Sequence, residues 1–252
     1  MKIAVIGAGA MGGAIVEGLL KGSYVAKDDL TVSDCAEERL QYFAAKGTHV
    51  TKDNASAAAD ADVLVVVVKP WLVEQVLKGI STEGKTVVLV AAGITSDQLT
   101  AWTAPDADLW LAIPNIAAAE LASMTFLVKV RQNGTFDAKS LFDAIGSTII
   151  TDEKHLAAGT TLASCGIAYA LRYIRAAAEG GVELGFRADD ATKIVQQTVL
   201  GAVKLLETSG KHPEQLIDQV TTPGGITIRG LNEMEHAGFT SAVIRGLKAA
   251  VK

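Results

Sequence analysis

The stretch Lys2-Ile3-Ala4-Val5-Ile6-Gly7-Ala8-Gly9-Ala10-Met11-Gly12 decides the fold. Its apolar beginning, residues 2–6, predicts a buried β-strand, and the amphipathic residues 13–21 that follow predict an α-helix. The pattern Gly-x-Gly-x-x-Gly therefore lies in the turn between a strand and a helix. That context is typical of a dinucleotide-binding βαβ unit.

Each glycine of this turn has a predicted task. Gly7 permits the tight turn, Gly9 lets the backbone approach a pyrophosphate, and Gly12 lets the helix pack closely on the strand. The start of the helix then offers unpaired N–H groups and a partial positive charge to the phosphates. We predict that the cofactor is held by Gly7, Ala8, Gly9, Ala10, Met11 and Gly12.

A carboxylate follows the second predicted strand. Asp34 lies about 20 residues beyond the glycines, where it can accept hydrogen bonds from the adenosine ribose hydroxyls and repel a 2′-phosphate. This favours NAD, but Arg39, about one helical turn further along, can accommodate that phosphate. Asp34 can also cap a helix, with Glu37 in the capping-box position, and this role is compatible with cofactor binding. The sequence leaves NADH and NADPH open.

Short apolar runs alternate with helical stretches as far as Thr151, which predicts a mainly parallel sheet. The predicted strands are Ile3–Ile6, Leu30–Val32, Val63–Val68, Val87–Ala91, Leu109–Ile113, Phe126–Val130 and Thr148–Ile150. Beyond Thr151 the predicted elements are helices: Glu153–Leu184, Asp189–Thr208, His212–Val220, Gly224–Glu235 and Thr240–Val251. We therefore predict an α/β fold, with a Rossmann-type dinucleotide-binding domain over residues 1–152 and an all-helical domain over residues 153–252.

The predicted helical domain contains a stretch, residues 162–178, that is apolar nearly all round. Such a helix must be covered on every side, and a domain of about 100 residues has few helices to supply the cover. We expect a second copy of the chain to provide it, which predicts a homodimer or a higher homo-oligomer.

Composition excludes several classes of function. Among 252 residues, 49% are hydrophobic and the net charge is −5, with no dense basic run, so nucleic acid is not expected as a partner. The two cysteines, Cys35 and Cys165, are too isolated for a disulfide framework and fit a reducing, cytoplasmic compartment. The longest uncharged run is interrupted by polar residues and ends below spanning length, so no membrane segment is expected.

The histidines lie far apart without helical partners, so no metal site is expected. The informative segment is a turn with the sequence Thr222-Pro223-Gly224-Gly225-Ile226-Thr227. A Pro-Gly-Gly turn that leads into a helix presents backbone N–H groups to an anion, and the threonines add neutral donors. This suits a small carboxylate substrate, although a purely structural turn explains the same residues.

The whole chain resembles the pyrroline-5-carboxylate reductases. The resemblance runs from the glycine loop through residues 62–70 and 91–95 to residues 201–206. It is densest over residues 210–216 and 218–228, which contain the most specific motif, and it continues into residues 235–239.

The resemblance implies hydride transfer from NADH or NADPH to the C=N carbon of 1-pyrroline-5-carboxylate, which gives L-proline. It also implies an intertwined dimer formed by the helical domain. By resemblance, Thr227 hydrogen-bonds the ring nitrogen, and the turn formed by Thr222, Pro223, Gly224 and Gly225 holds the carboxylate. The resemblance further implies that the adenosine and nicotinamide ends are lined by Asn54, Val68, Lys69, Pro70 and Asn115.

The chain departs from the family pattern in three places. Residues 111–117 read Leu-Ala-Ile-Pro-Asn-Ile-Ala where the family has Arg-x-Met-Pro-Asn-Thr-Pro. Residues 163–169 read Ala-Ser-Cys-Gly-Ile-Ala-Tyr where it has Ser-Gly-Ser-Gly-Pro-Ala-Tyr, and Thr222 replaces a serine. These changes leave two alternatives: a reductase of another small imine or oxo acid, and a non-catalytic NAD(P)-binding dimer.

Overall fold

A computed structural model describes residues 1–251. The chain forms two compact units, which divide between Ser164 and Cys165. The domain boundary expected between residues 152 and 153 stays a prediction.

The first unit is built on one eight-stranded sheet with the order β3-β2-β1-β4-β5-β6-β7-β8. Only β6 and β7 pair antiparallel; every other neighbouring pair is parallel. The strands are β1 (Ile3–Ile6), β2 (Leu30–Ser33), β3 (His49–Thr51), β4 (Val63–Val66), β5 (Thr86–Leu89), β6 (Asp108–Ile113), β7 (Ser123–Arg131) and β8 (Gly146–Ile150). The strand order reverses between β1 and β4, and open α/β sheets bind ligands at such a point, beyond the carboxyl ends of the strands.

The central strands are apolar on both faces because helices cover the sheet on both sides. In β1, Ile3 and Val5 join one hydrophobic core, while Ala4 and Ile6 join the other. Strand β4 divides in the same way, and all four of its residues are buried. This explains why Val63–Val66 shows no alternation of polar and apolar residues.

The sheet confirms all the predicted strands and adds one that the sequence analysis missed. Strand β3 is a three-residue edge strand that pairs only with β2, and its first residue, His49, is exposed. A strand this short, without a buried face, carries no periodic hydrophobic signal.

The helices of the first unit are α1 (Ala10–Lys21), α2 (Glu37–Ala45), α3 (Asn54–Ala59), α4 (Val73–Lys78), α5 (Ser96–Ala101), α6 (Ala138–Asp143) and α7 (Leu156–Gly159). Those of the second unit are α8 (Gly166–Glu183), α9 (Ala188–Ser209), α10 (Pro213–Gln219), α11 (Ile226–His236) and α12 (Phe239–Ala250). The single helix expected over Glu153–Leu184 was wrong in detail. A 3₁₀ turn begins this stretch, and a π-helical segment, Thr160–Cys165, separates α7 from α8.

Within residues 1–251, no helix is long and apolar enough to cross a membrane.

We expect Leu64→Ala to lower the free energy of unfolding by about 2–5 kcal/mol, because the side chain is fully buried in β4 and its loss leaves a cavity. Denaturant unfolding measures the change. Ile150→Ala is the control: that side chain is 55% exposed, and its loss is expected to cost less than about 1 kcal/mol. Equal losses in the two variants would contradict this assignment of the core.

Candidate functional site

The glycine loop packs against the end of β4 and leaves no room for a side chain at Gly7 or Gly12. Gly7 has a φ of +97°, and a Cβ on it would overlap the carbonyl oxygen of Val67. A Cβ on Gly12 would overlap the carbonyl oxygen of Gly7. The predicted steric tasks of these two glycines, a tight turn and a close helix approach, are confirmed.

Gly9 differs from Gly7 and Gly12 because its Cα faces open space. A Cβ built there would meet no atom within 4 Å. Gly9 is also the N-cap of α1, and no side chain caps this helix start. The first N–H groups of α1 therefore remain available to an anion that approaches over Gly9. The contact of a pyrophosphate with this open space stays a prediction.

The carboxylate of Asp34 is bound to the glycine loop itself. Its Oδ2 accepts a hydrogen bond from the N–H of Ala8 at 2.6 Å, and its Oδ1 accepts one from the N–H of Ala36 at 2.8 Å. Both bonds fix the carboxylate at the carboxyl end of β2. Each oxygen keeps a lone pair for a hydroxyl group, so the predicted bond to a ribose remains possible in this position.

Asp34 does not cap α2. The N-cap of this helix is Ala36, which provides no side-chain bond, and Glu37 pairs with Lys52 at 2.7 Å instead of closing a capping box. The hydrogen bond from Lys52 lowers the pKa of Glu37 below its usual value. The capping alternative for Asp34 was therefore wrong.

Arg39 also contacts the loop. Its Nε donates to the carbonyl oxygen of Ala8 at 2.7 Å, and its guanidinium carbon lies 5.2 Å from the centre of the Phe43 ring. A Cβ on Gly13 would overlap Nη2 of the same guanidinium. From sequence, Arg39 is expected only as a phosphate ligand, because no sequence pattern indicates a side-chain bond to the carbonyl oxygen of a residue 31 positions away.

The other expected cofactor residues lie at the same edge of the sheet. Asn54 begins α3, and its Oδ1 accepts a hydrogen bond from the buried Ser33 Oγ at 2.7 Å. Val68 follows β4 and lies next to Gly7. Lys69 and Pro70 come directly after it, where Pro70 begins a 3₁₀ turn. Their contacts with a cofactor stay predictions.

Asn115 is buried and makes hydrogen bonds within the protein, and its contact with a cofactor stays a prediction. It is only 5% exposed, and its Oδ1 accepts from the N–H of Ala117 at 3.0 Å. Its Nδ2 donates to the carbonyl oxygen of Ala163 at 3.3 Å, and the neighbouring Ser164 Oγ donates to the carbonyl oxygen of Pro114 at 2.9 Å. Two of the segments that depart from the family pattern are thus bonded to each other. No sequence pattern predicts this pairing, because the two segments lie far apart in the chain.

The Pro-Gly-Gly turn belongs to the second unit. Gly224 has a φ of +69°, and the N–H of Gly225 donates to the carbonyl oxygen of Thr222 at 2.9 Å. Gly225 is the N-cap of α11, and no side chain caps that helix start. Thr227 lies in the first turn of α11 and is exposed, as is Thr222. The turn therefore presents free helix N–H groups beside two hydroxyl groups.

No group of three or more His, Cys, Asp or Glu side chains within residues 1–251 could hold a metal ion.

Comparison with known proteins supplies the family. A model described as "NADP oxidoreductase coenzyme F420-dependent" matches residues 2–93, and one described as "Pyrroline-5-carboxylate reductase dimerisation" matches residues 153–252. A pyrroline-5-carboxylate reductase from Pisum sativum is 36% identical over 98% of this chain and 92% of its own length. The chain belongs to the pyrroline-5-carboxylate reductase family. The resemblance drawn from its motifs is confirmed, and the chain is a Rossmann-type oxidoreductase of this family.

Two further relatives agree. Pyrroline-5-carboxylate reductase 1 from Dictyostelium discoideum is 36% identical over 97% of this chain, which spans only 48% of that protein. The crystal structure of 1-pyrroline-5-carboxylate reductase from Streptococcus pyogenes is 32% identical, with a TM-score of 0.87 over all of this chain and 96% of that one.

We expect Gly9→Ala and Gly12→Ala to differ in their effects on stability and on NADH binding. Gly9→Ala should leave the thermal midpoint within about 2 °C of the wild type, because the new methyl group meets no protein atom, yet weaken NADH binding about tenfold or more. Gly12→Ala should lower both stability and binding. Fluorescence titration and thermal unfolding measure the two effects. Unchanged binding in Gly9→Ala would contradict the placement of the pyrophosphate.

Proposed function

We propose that this pyrroline-5-carboxylate reductase family member reduces 1-pyrroline-5-carboxylate to L-proline with NADH or NADPH, the final step of proline biosynthesis. The observation that carries the proposal is the uncapped start of α11, where Gly224 and Gly225 precede the exposed Thr227. This turn has the donors that a small carboxylate requires, in a chain that also carries an open glycine loop.

The turn would hold the substrate by its carboxylate. The N–H groups at the start of α11 and the Thr222 hydroxyl are neutral donors, and the helix adds its partial positive charge. A Cβ on Gly225 would lie 2.5 Å from the Thr222 Oγ1, so the hydroxyl stands directly beside the turn. Replacement of the family serine by Thr222 keeps this hydroxyl.

Thr227 would hydrogen-bond the ring nitrogen of the substrate and fix its orientation. When bound, the nicotinamide cofactor supplies a hydride to the carbon of the C=N bond. The electron pair of that bond then stays on the ring nitrogen, which keeps the proton of the iminium form. Such a reaction requires positioning and electrostatic stabilisation more than an acid or a base.

The nicotinamide dinucleotide would lie at the carboxyl edge of the sheet. Its pyrophosphate would contact the loop Gly7–Gly12, its adenosine ribose would contact Asp34, and Asn54, Val68, Lys69, Pro70 and Asn115 would line its two ends. The open face of Gly9 and the free N–H groups of α1 support this placement.

A reductase of another imine or oxo acid remains the second candidate function, and the structure weakens one argument for it. Leu111, which replaces a family arginine, is 2% exposed and packs in the core of the sheet. In this chain residue 111 therefore belongs to the core, and its substitution alone does not indicate a changed substrate pocket. The non-catalytic alternative is opposed by the retained Thr227.

We propose that residues 1–152 form the cofactor domain and that residues 153–252 form a homodimer in the cytoplasm. The second unit exposes many large apolar side chains within one chain. On α9 these include Ile194, Leu200, Val203, Leu205 and Leu206. Large exposed apolar side chains in this number are typical of protein–protein interfaces, and a second copy of the chain would cover them.

We expect oxidation of NADH or NADPH when synthetic 1-pyrroline-5-carboxylate is added, with L-proline as the product. Absorbance at the nicotinamide band and chromatography of the product measure the reaction. No turnover with either cofactor would contradict the proposed function, and turnover of a different imine would favour the second candidate.

We expect Thr227→Val to lower kcat/KM by about 10²-fold, because it removes a hydrogen bond to the reacting nitrogen and keeps the side-chain shape. Thr227→Ser is the matched control and should retain most of the activity. Full activity in Thr227→Val would remove the role proposed for the hydroxyl.

We expect Val203→Glu to shift the chain from dimer toward monomer, because a charge would be buried in the proposed interface. Sedimentation velocity measures the mass. Lys204→Gln, on the neighbouring position of α9, should leave the dimer intact. A monomeric wild-type chain would contradict the proposed assembly.

A further inference from the structure

We infer that Asp34 and Arg39 clamp Ala8, Asp34 through its N–H and Arg39 through its carbonyl oxygen, and that this clamp selects NADH over NADPH while Arg39 positions the loop. The inference rests on the proposed role of the loop in cofactor binding. It assigns Arg39 a positioning role in place of the role of 2′-phosphate ligand.

Asp34 and Arg39 each form a hydrogen bond with a backbone group of Ala8. The N–H of Ala8 donates to Asp34 Oδ2 at 2.6 Å, and its carbonyl oxygen accepts from Arg39 Nε at 2.7 Å. Ala8 is fully buried. Since each bond involves a charged group, each restrains the peptide more strongly than a bond between neutral groups would. The orientation of the loop thus depends on two side chains from the β2–α2 region.

Three contacts hold the Arg39 guanidinium in place. Nε bonds Ala8, the guanidinium carbon lies 5.2 Å and 5.4 Å from the ring centres of Phe43 and Tyr42, and Nη2 fills the space beside Gly13 that a Cβ would need. A Cβ on residue 13 would push the end of this side chain out of its present position. To bind a 2′-phosphate through the edge that carries Nε, Arg39 would have to release Ala8.

Asp34 determines which ribose can bind beside the clamp. Its two backbone hydrogen bonds hold the carboxylate at the end of β2, the position from which Rossmann domains bind ribose hydroxyls. A 2′-phosphate there would face a fixed negative charge. The nearby Glu37 is also acidic, so it does not offset this repulsion. The positive charge of Lys52 is paired with Glu37.

Equilibrium binding of ADP-ribose and of its 2′-phosphorylated form tests the inference without catalysis. The wild type should bind ADP-ribose at least about tenfold more tightly, since a carboxylate at this position repels a 2′-phosphate. Asp34→Ser should reduce or reverse this ratio. Equal binding of the two ligands by the wild type, or preference for the phosphorylated one, would overturn the inference.

Arg39→Met separates the two roles of Arg39. As a positioning residue, Arg39 should affect both ligands by the same factor, about tenfold, because the loop loses one charged hydrogen bond. A selective loss of the phosphorylated ligand would identify Arg39 as its phosphate partner and overturn the positioning role. Lys52→Met, which removes a positive charge that pairs with Glu37, should leave the binding ratio unchanged.

Gly13→Ala provides an independent readout. Its new methyl group would displace the guanidinium, so the effects of Gly13→Ala and Arg39→Met on ADP-ribose binding should not add in the double variant. Full additivity would show that the space beside Gly13 does not hold Arg39. If these binding results hold but the imine is not reduced, only the proposed reaction fails.

Discussion

The structure of the cofactor region depends on the absence of side chains at Gly7 and Gly12. The carbonyl oxygen of Gly7 occupies the place where a Cβ on Gly12 would lie, and Val67 at the end of β4 occupies the place of a Cβ on Gly7. Helix α1 can therefore begin directly against the two central strands. Its free N–H groups are brought to the point where the strand order reverses, and the open face of Gly9 gives a ligand access to them.

This packing explains why the chain needs few charged groups for its proposed chemistry. The loop presents backbone N–H groups and a helix dipole to a dinucleotide. The turn before α11 presents the same kind of donors to a carboxylate. Two charged residues, Asp34 and Arg39, act on the loop through Ala8. Because the cofactor carries the hydride, the protein is left mainly with the tasks of orientation and selectivity.

The sequence predicted the fold well where periodicity and local chemistry agree. The buried strands and the tight turn at Gly7 have strong local signals, and the residues of the Thr222–Thr227 turn stand out by their composition. The edge strand β3 and the π-helical segment Thr160–Cys165 have no such signal. The bond between Asn115 and Ala163, and the bonds that Asp34 and Arg39 make to Ala8, depend on tertiary contacts between distant segments. Side-chain bonds to distant backbone atoms leave no pattern in one sequence.

The central claim is that this chain transfers a hydride from the nicotinamide ring to the C=N carbon of 1-pyrroline-5-carboxylate. Turnover with NADH deuterated on the reactive face of nicotinamide C4, followed by mass spectrometry of the product, tests it most directly. The account predicts L-proline that carries one deuterium on the former C=N carbon. Two results would contradict it. One is proline that carries no deuterium, whichever face of C4 bears the label, and the other is consumption of the cofactor without formation of proline.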